Sequence, residues 1–183
     1  MTKLPILESY WVEENSFLAG EYPGGYDFET TRRRMDAFLQ TGVYTFIDLT
    51  HSNERMPYVN ILKEQGEVYG VNPAYHQYSI RDHSIPSAET MTGILDSIDE
   101  AIENGSCVYV HCWGGVGRTG MVVGCYLVRH GATNIQALAQ VNKLYKTRPK
   151  NPYLPRSPET DEQVEFVLNW WDESKNNQKF CEG

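Results

Sequence analysis

The chain has 183 residues, of which 40% are hydrophobic and 22% charged, a globular composition at a length that one core can close. Sixteen Lys and Arg against 24 Asp and Glu give a formal charge of −8. That balance argues against a general affinity for nucleic acid or an anionic membrane, where phosphates reward a basic face. No apolar run approaches the roughly 20 residues needed to cross a bilayer. Met1 to Gly20 carries Lys3, Glu8, Glu13 and Glu14 rather than a signal-peptide core, so a soluble, cytoplasmic protein is expected. The cysteines, Cys107, Cys112, Cys125 and Cys181, lack the paired spacing of a zinc site or a secreted disulfide framework. Free thiols, with no metal and no cofactor, are the expectation.

In chain order, Phe28 to Gln40 reads as a helix with Met35, Phe38 and Leu39 on one side and Gly42 as its stop. Val43 to Leu49 is rich in β-branched and aromatic residues and meets polar Thr50 to Asn53, which predicts a buried strand ending in a loop. Tyr75 to Ile80 is a second strand. Ser87 to Asn104 places Met91, Ile94, Leu95, Ile98 and Ile102 at helical spacing, with Ser87 as N-cap and Gly105 beyond its end. Cys107 to His111 is a short apolar strand of the kind found at the centre of parallel sheets. Helices follow over Thr119 to His130, Asn134 to Tyr145 and Pro158 to Trp171. This alternation predicts an α/β fold, a central and mostly parallel sheet flanked by helices. Residues 1–171 are expected to form one domain, and Asp172 to Gly183 a frayed tail.

The informative stretch is His111-Cys112-Trp113-Gly114-Gly115-Val116-Gly117-Arg118-Thr119-Gly120, between a strand and a helix. Glycines at 114, 115 and 117 allow a tight turn in which successive N–H groups face one anion, and the following helix adds its positive end. Such a loop suits a tetrahedral oxyanion. Cys112 sits inside that positive field, which favours thiolate over thiol. Arg118 offers a planar fork for two phosphate oxygens and for the charge that develops during phosphoryl transfer. The Thr119 hydroxyl is placed to donate to the Cys112 sulfur, and His111 to orient the loop.

His-Cys, five residues, then Arg-Thr resembles the signature of the protein tyrosine phosphatase superfamily, with His111, Cys112, Gly115, Arg118 and Thr119 at its positions. The resemblance spans roughly Trp11 to Trp171. Phe17 to Gly24 looks like the opening segment of compact dual-specificity phosphatases, and the implied fold is dual-specificity phosphatase-like. An acid upstream of the nucleophile excludes the low-molecular-weight design, in which the cysteine loop comes first.

The leaving oxygen needs a proton, so a carboxylic acid must stand near it. Tyr78 to Ser87 looks like the acid loop of the small dual-specificity enzymes, with an Asp four residues before a Pro, and Asp82 is assigned as general acid. Asp48, inside an apolar strand, suits a structural role, and Asp96 and Asp99 are expected to face solvent from a helix. Ser157 to Gln163 resembles the late segment in which the tyrosine-specific branch uses a Gln to position the hydrolytic water. Here Glu159 stands at that place, where a first-turn carboxylate favoured by the helix dipole is the plainer reading, and Gln163 stands at the second, so the residue that positions the water is left open.

The resemblance implies a metal-independent phosphatase acting through a phosphocysteine, with Cys112, Arg118, Asp82 and Thr119 catalytic. His111, Trp113, Gly114, Gly115, Val116, Gly117 and Arg118 would hold the substrate. The uncharged side chains at 113, 114 and 116 favour a phosphoprotein, phosphotyrosine first and phosphoserine or phosphothreonine second. The alternatives are inositol phosphates or another small phosphorylated metabolite, and a silent phosphate-binding module. Arg32 to Arg34 read as a solvated face, Cys125 as packing, and Trp170 and Trp171 as one core anchor and one surface ring.

Overall fold

The computed structural model describes residues 3–149, 151 and 153–171. An antiparallel pair, β1 (Ser9–Glu13) and β2 (Phe17–Gly20), opens the chain. Helix α1 (Phe28–Gln40) leads into β3 (Val43–Asp48), and α2 (Val59–Tyr69) into β4 (Ala74–Gln77). Helix α3 (Ala88–Glu103) precedes β5 (Cys107–His111), and α4 (Gly117–Arg129), α5 (Asn134–Tyr145) and α6 (Asp161–Leu168) follow. The sheet order is β1-β2-β5-β3-β4, parallel throughout except for β1 at one edge.

Because side chains alternate along a strand, the sheet feeds two apolar layers. Phe17, Ala19, Ile47, Val108 and Val110 face one side, where Ile94 and Ile98 of α3, Val122 and Tyr126 of α4, Val141 of α5 and Val167 of α6 cover them. Leu18, Phe46, Cys107 and Tyr109 face the other, against Met35 and Phe38 of α1 and Leu62 of α2. Helix starts are fixed locally: the Asp27 and Ser87 side chains accept from the N–H groups of Thr30 and Thr90, and Thr133 and Thr160 form capping boxes with Gln136 and Gln163.

Helices α1 and α5 and strand β5 lie where the sequence places them. Strands β1 and β2 and helix α2 carry no usable periodic signal. Helix α2 buries Leu62, Gln65 and Gly66, so it has no continuous apolar stripe. Helix α6 starts at Asp161 rather than Pro158, because Thr160 caps it, and it stops at Leu168. Strand β4 ends at Gln77, after which the chain is already the loop toward Asp82. Asp96 and Asp99 are not simply solvated: both pair with the Arg129 guanidinium of α4 (2.8 and 3.0 Å), and Asp99 also meets His130 (2.9 Å), tying α3 to α4. The expected tail, Asp172 to Gly183, lies outside the described residues. No helix among the described residues is long and apolar enough to cross a membrane.

The parallel strands β3, β4 and β5 end on the same edge, so their following loops converge there, as ligand loops do in open α/β sheets. The end of β2 abuts this edge closely. Gly115 has φ +66°, and a Cβ there would stand 2.2 Å from the Gly20 carbonyl carbon and 2.5 Å from the Glu21 nitrogen. Gly115→Ala therefore combines an unfavourable backbone region with backbone overlap, and is expected to destabilise the protein by about 2 kcal/mol or more in denaturant unfolding.

Candidate active site

The segment 112–116, between β5 and α4, is held from outside by its carbonyls. The Tyr22 N–H donates to the Trp113 oxygen (3.0 Å). Arg148 donates from Nη2 to Gly114 (3.1 Å) and from Nη1 to Gly115 (2.8 Å), while the Ser157 hydroxyl donates to Val116 (2.7 Å). In a planar trans peptide the C=O and the next N–H point in opposite directions. Four carbonyls turned outward therefore turn the N–H groups of Gly114, Gly115, Val116 and Gly117 toward the inside of the loop, the arrangement of an anion nest. The N-terminus of α4 adds its positive end.

Cys112 lies at the base of this nest and is almost fully buried. With Trp113, Gly117, Arg118, Asp82, His83, Tyr153 and Glu159 it lines a cleft of about 320 Å³. Arg118 is buried and divided in its bonding. Its Nη1 donates to Glu54 Oε1 (2.8 Å) and to the carbonyls of Ile80 (2.9 Å) and Leu49 (3.4 Å), which fixes it to the ends of the loops after β3 and β4. Its Nη2 donates to Glu54 Oε2 (2.8 Å) and stands 3.0 Å from Asp82 Oδ1. Its Nε, also buried, has no protein acceptor among the described residues. Nη2 is held between two carboxylates, and Nε alone is left without an acceptor, for an oxyanion. Burial works against the Arg118 charge, but Glu54, the neighbouring Cys112 and Asp82 outweigh it and raise its pKa.

Beneath the nest, His111 is fully buried. Its Nε2 is 2.7 Å from the Tyr58 hydroxyl, and its Nδ1 lies 3.4 Å from the Cys112 carbonyl oxygen and 3.8 Å from Asp48 Oδ1. Two acceptors near Nδ1 assign the proton there, with Tyr58 donating to Nε2. Burial holds the imidazole pKa below its ordinary value against the pull of Asp48. Asp48 accepts from the Thr50 N–H (2.8 Å) and hydroxyl (2.7 Å) and from Tyr75 (2.9 Å), the structural use expected of it.

The hydrogen bond of the Thr119 hydroxyl runs to the Gly20 carbonyl (3.4 Å), so its geometry ties α4 to β2 rather than serving the Cys112 sulfur as anticipated. Glu159 and Gln163 separate clearly. Glu159 lines the cleft, with Oε1 3.7 Å from His83 Nδ1, while His83 Nε2 is 3.5 Å from Asp82 Oδ2. Gln163 is buried behind the loop, where it donates to the Ser84 carbonyl (3.3 Å) and packs against Gly117. Tyr78 bonds to Gly93 and Ser97 and belongs to the packing, whereas Trp113 is exposed at the rim. Cys125 is buried in the core, and burial pushes the Cys107 thiol up to about 12, so Cys107 stays protonated. Trp170 is buried and Trp171 exposed. Among the described residues, no group of three or more His, Cys, Asp or Glu is arranged to hold a metal ion.

The roles of Glu54, Arg148 and Ser157 are not legible in the sequence. Each is a lone polar residue in a polar loop, and no spacing links it to Arg118 or the glycines. The Glu three residues after His51, which accepts from the His51 N–H (2.8 Å), marks a turn and nothing more.

A five-stranded, mostly parallel sheet with a Cys–Arg anion loop at its strand ends is the architecture of the dual-specificity branch of the protein tyrosine phosphatase superfamily. Residues 25–132, more than half of the chain, match the family model described as "Tc-R-P: Polymorphic toxin system, DSP-PTPase phosphatase", and the chain belongs to that family. It is 28% identical over 127 residues to mouse protein tyrosine phosphatase domain-containing protein 1, covering 66% of this chain and 17% of that protein. It is 35% identical over 91 residues to the uncharacterized protein MJECL20 of Methanocaldococcus jannaschii, covering 50% of this chain and 55% of the relative. The chain thus spans about a sixth and about half of these curated relatives. The fold is shared with Tk-PTP in its active form, at TM-score 0.69 and 24% identity, over 88% of this chain and 93% of the other.

Glu54 gives a pH-dependent test. Burial pushes its carboxyl upward, but the Arg118 and His51 bonds outweigh that and hold the pKa below the usual carboxylate value. A lowered folded pKa adds stability that is complete above the unfolded value of about 4.3 and is lost as pH falls toward the folded one. Glu54→Gln is expected to cost about 1–3 kcal/mol at pH 7, because it leaves Arg118 under-paired. Unfolding curves of the two proteins should converge as the pH is taken below about 4.3.

Proposed function

We propose that the chain hydrolyses phosphomonoesters through a phosphocysteine, without a metal, and acts first on phosphotyrosine and second on phosphoserine or phosphothreonine in proteins. The observation that carries this reading is the nest: four N–H groups turned inward by pinned carbonyls, in the loop that starts at Cys112 and lines one cleft with Arg118, whose Nε is unpaired among the described residues.

The first step places three phosphoryl oxygens on the nest and on Nε and Nη2 of Arg118, with the Asp82 carboxyl drawing back from Nη2. The Cys112 thiolate attacks phosphorus, the bond to the leaving oxygen breaks, and Asp82 gives that oxygen its proton. Arg118 and the nest meet the charge that accumulates on the equatorial oxygens. The nest is neutral in its side chains, so it grips the phosphoryl group by backbone alone and leaves the rest of the substrate to the rim.

In the second step water attacks phosphorus, the P–S bond breaks and Cys112 leaves as thiolate, while a carboxylate takes the proton from water. Asp82 is ionised at this point and can receive it. Glu159, which shares the cleft, is the group we assign to aligning that water, with His83 holding it beside Asp82. Gln163, behind the loop, is left with a packing role.

Steady-state hydrolysis of an aryl phosphate in EDTA tests the reading. Turnover should survive the chelator, vanish in Cys112→Ser, and fall about 10²–10⁴-fold in Asp82→Asn. Wild-type protein without turnover under reducing conditions would sink the enzyme reading and leave a phosphate-binding module. Glu159→Gln should lower kcat more than kcat/KM and let the phosphocysteine accumulate, since it slows the step after phosphoryl transfer. Equal loss in both parameters would remove Glu159 from the hydrolytic step.

A further inference from the structure

A different nitrogen faces each oxygen of the Asp82 carboxylate. Arg118 Nη2 stands 3.0 Å from Oδ1, and His83 Nε2 stands 3.5 Å from Oδ2. The other ring nitrogen of His83, Nδ1, faces Glu159 Oε1 at 3.7 Å. The imidazole thus lies between the acid loop and the segment before α6, with a carboxylate at each end. Side chains of adjacent residues point to opposite faces of an extended chain, so His83 would ordinarily turn away from Asp82. It does not, because its φ is +58°, a left-handed backbone that few residues other than glycine adopt. The reversal that sets the ring beside its own neighbour is a backbone feature of the kind that gathers at functional sites.

Both flanks of the ring are held. The Ser84 N–H closes a turn onto the Arg81 carbonyl (3.1 Å), and Gln163 of α6 donates to the Ser84 carbonyl (3.3 Å). Opposite, Arg156 donates from Nε and Nη2 to the Glu159 carbonyl (3.4 and 3.3 Å) and pairs with Asp161. Asp82, His83 and Glu159 line the cleft with Cys112 and Arg118, while Arg81 is exposed. A phosphoryl group on Arg118 must take Nη2 from Asp82. The freed carboxyl must then stay in the cleft with its proton on the oxygen that meets the leaving group. An imidazolium donates from both nitrogens, so His83 can hold Asp82 Oδ2 and Glu159 at once. With Oδ2 accepting, the proton of the acid falls on Oδ1, the oxygen on the Arg118 side. The Glu159 carboxylate offsets the imidazolium charge, so the acid is not forced into its ionised form.

We propose that His83 is a positioning residue of the phosphatase: it receives Asp82 when phosphate displaces that carboxyl from Arg118, and it directs the acid's proton to Oδ1. The proposal rests on the phosphatase reading of the Cys112 cleft and deepens it. In the first step the Oδ1–H bond breaks, the leaving oxygen takes the proton, and Asp82 becomes a carboxylate. The imidazolium then stands between two carboxylates, which lets Asp82 and Glu159 both stay ionised in one cleft while water approaches phosphorus. The proton that water releases returns to Asp82, and His83 ends the cycle as it began it. Its part is played through Asp82 and Glu159 rather than on the reacting atoms.

Two measurements on the full chain test this, one of turnover and one of binding. Asn enters the left-handed region as readily as His, so His83→Asn keeps the bend and removes the ring. Its kcat/KM on phenyl phosphate should fall about tenfold, the factor of a 1.4 kcal/mol charge-assisted contact. The loss on 4-nitrophenyl phosphate, whose leaving group needs less help from a proton, should stay under about threefold. Imidazole in solution should restore part of the phenyl phosphate turnover of His83→Gly, since the ring's place is open to solvent. Equal losses on the two esters, or none, overturn the role. Calorimetry with tungstate, a tetrahedral dianion, on Cys112→Ser protein reads the hand-over without turnover. Adding His83→Asn should weaken tungstate binding severalfold, because Asp82 then competes for Arg118, and should have no effect once Asp82→Asn is also present. The same weakening with and without Asp82 overturns the hand-over. The expected tungstate pattern in a protein that hydrolyses neither ester would refute the phosphatase reading and leave the hand-over standing.

Discussion

The planarity of the peptide bond is the constraint on which the site depends. A loop of five residues cannot choose where its N–H groups point unless something fixes where its carbonyls point. In this chain the fixing groups come from three distant places: the Tyr22 backbone after β2, Arg148 after α5, and Ser157 before α6. The parallel pairing of β2 with β5 and the packing of α4 against α5 and α6 bring those groups within reach of residues 113–116. The core positions the outer ring of donors, that ring turns the backbone, and the backbone addresses the anion.

Arg118 repeats the logic with a side chain. A guanidinium free to rotate would lose entropy on gripping phosphate, whereas here one nitrogen is pinned to two carbonyls and both terminal nitrogens to Glu54. The anchors come from the ends of β3 and β4, which places Asp82 over the same fork. The chain therefore builds a local cation field in a protein of net charge −8, and the overall charge says little about one cleft. His111, neutral and braced by Tyr58, keeps a further charge out from under the nest.

The central strand and its loop were legible in the sequence because chemistry there is written in consecutive residues. A strand, three glycines, a cysteine and an arginine occupy twelve positions, from Cys107 to Arg118. Helices α1 and α5 were legible through periodicity and caps. Asp82 was found through a resemblance rather than through any property of the isolated residue, and the structure brings it to the Arg118 fork. What stayed hidden is what acts across the sequence. The Glu54–Arg118 pair joins positions 64 residues apart, and Ser157 reaches Val116 over 41. A carboxylate in a polar loop looks alike whether it meets water or a buried guanidinium. Asp96 is exposed as expected, but it and the half-buried Asp99 both pair with Arg129, which helical phase does not reveal. The role anticipated for Thr119 followed from adjacency in the chain, and its rotamer points to Gly20 instead.

Tyr22, Arg148 and Ser157 all lie outside the matched span of residues 25–132, although every carbonyl they hold lies within it. A fragment excised along that boundary would keep Cys112, Arg118, Glu54 and Asp82 and lose every external donor that orients the nest. The smallest excisable unit able to shape the loop must therefore begin before Tyr22 and run past Ser157, wider on both flanks than the stretch that carries the recognisable motif.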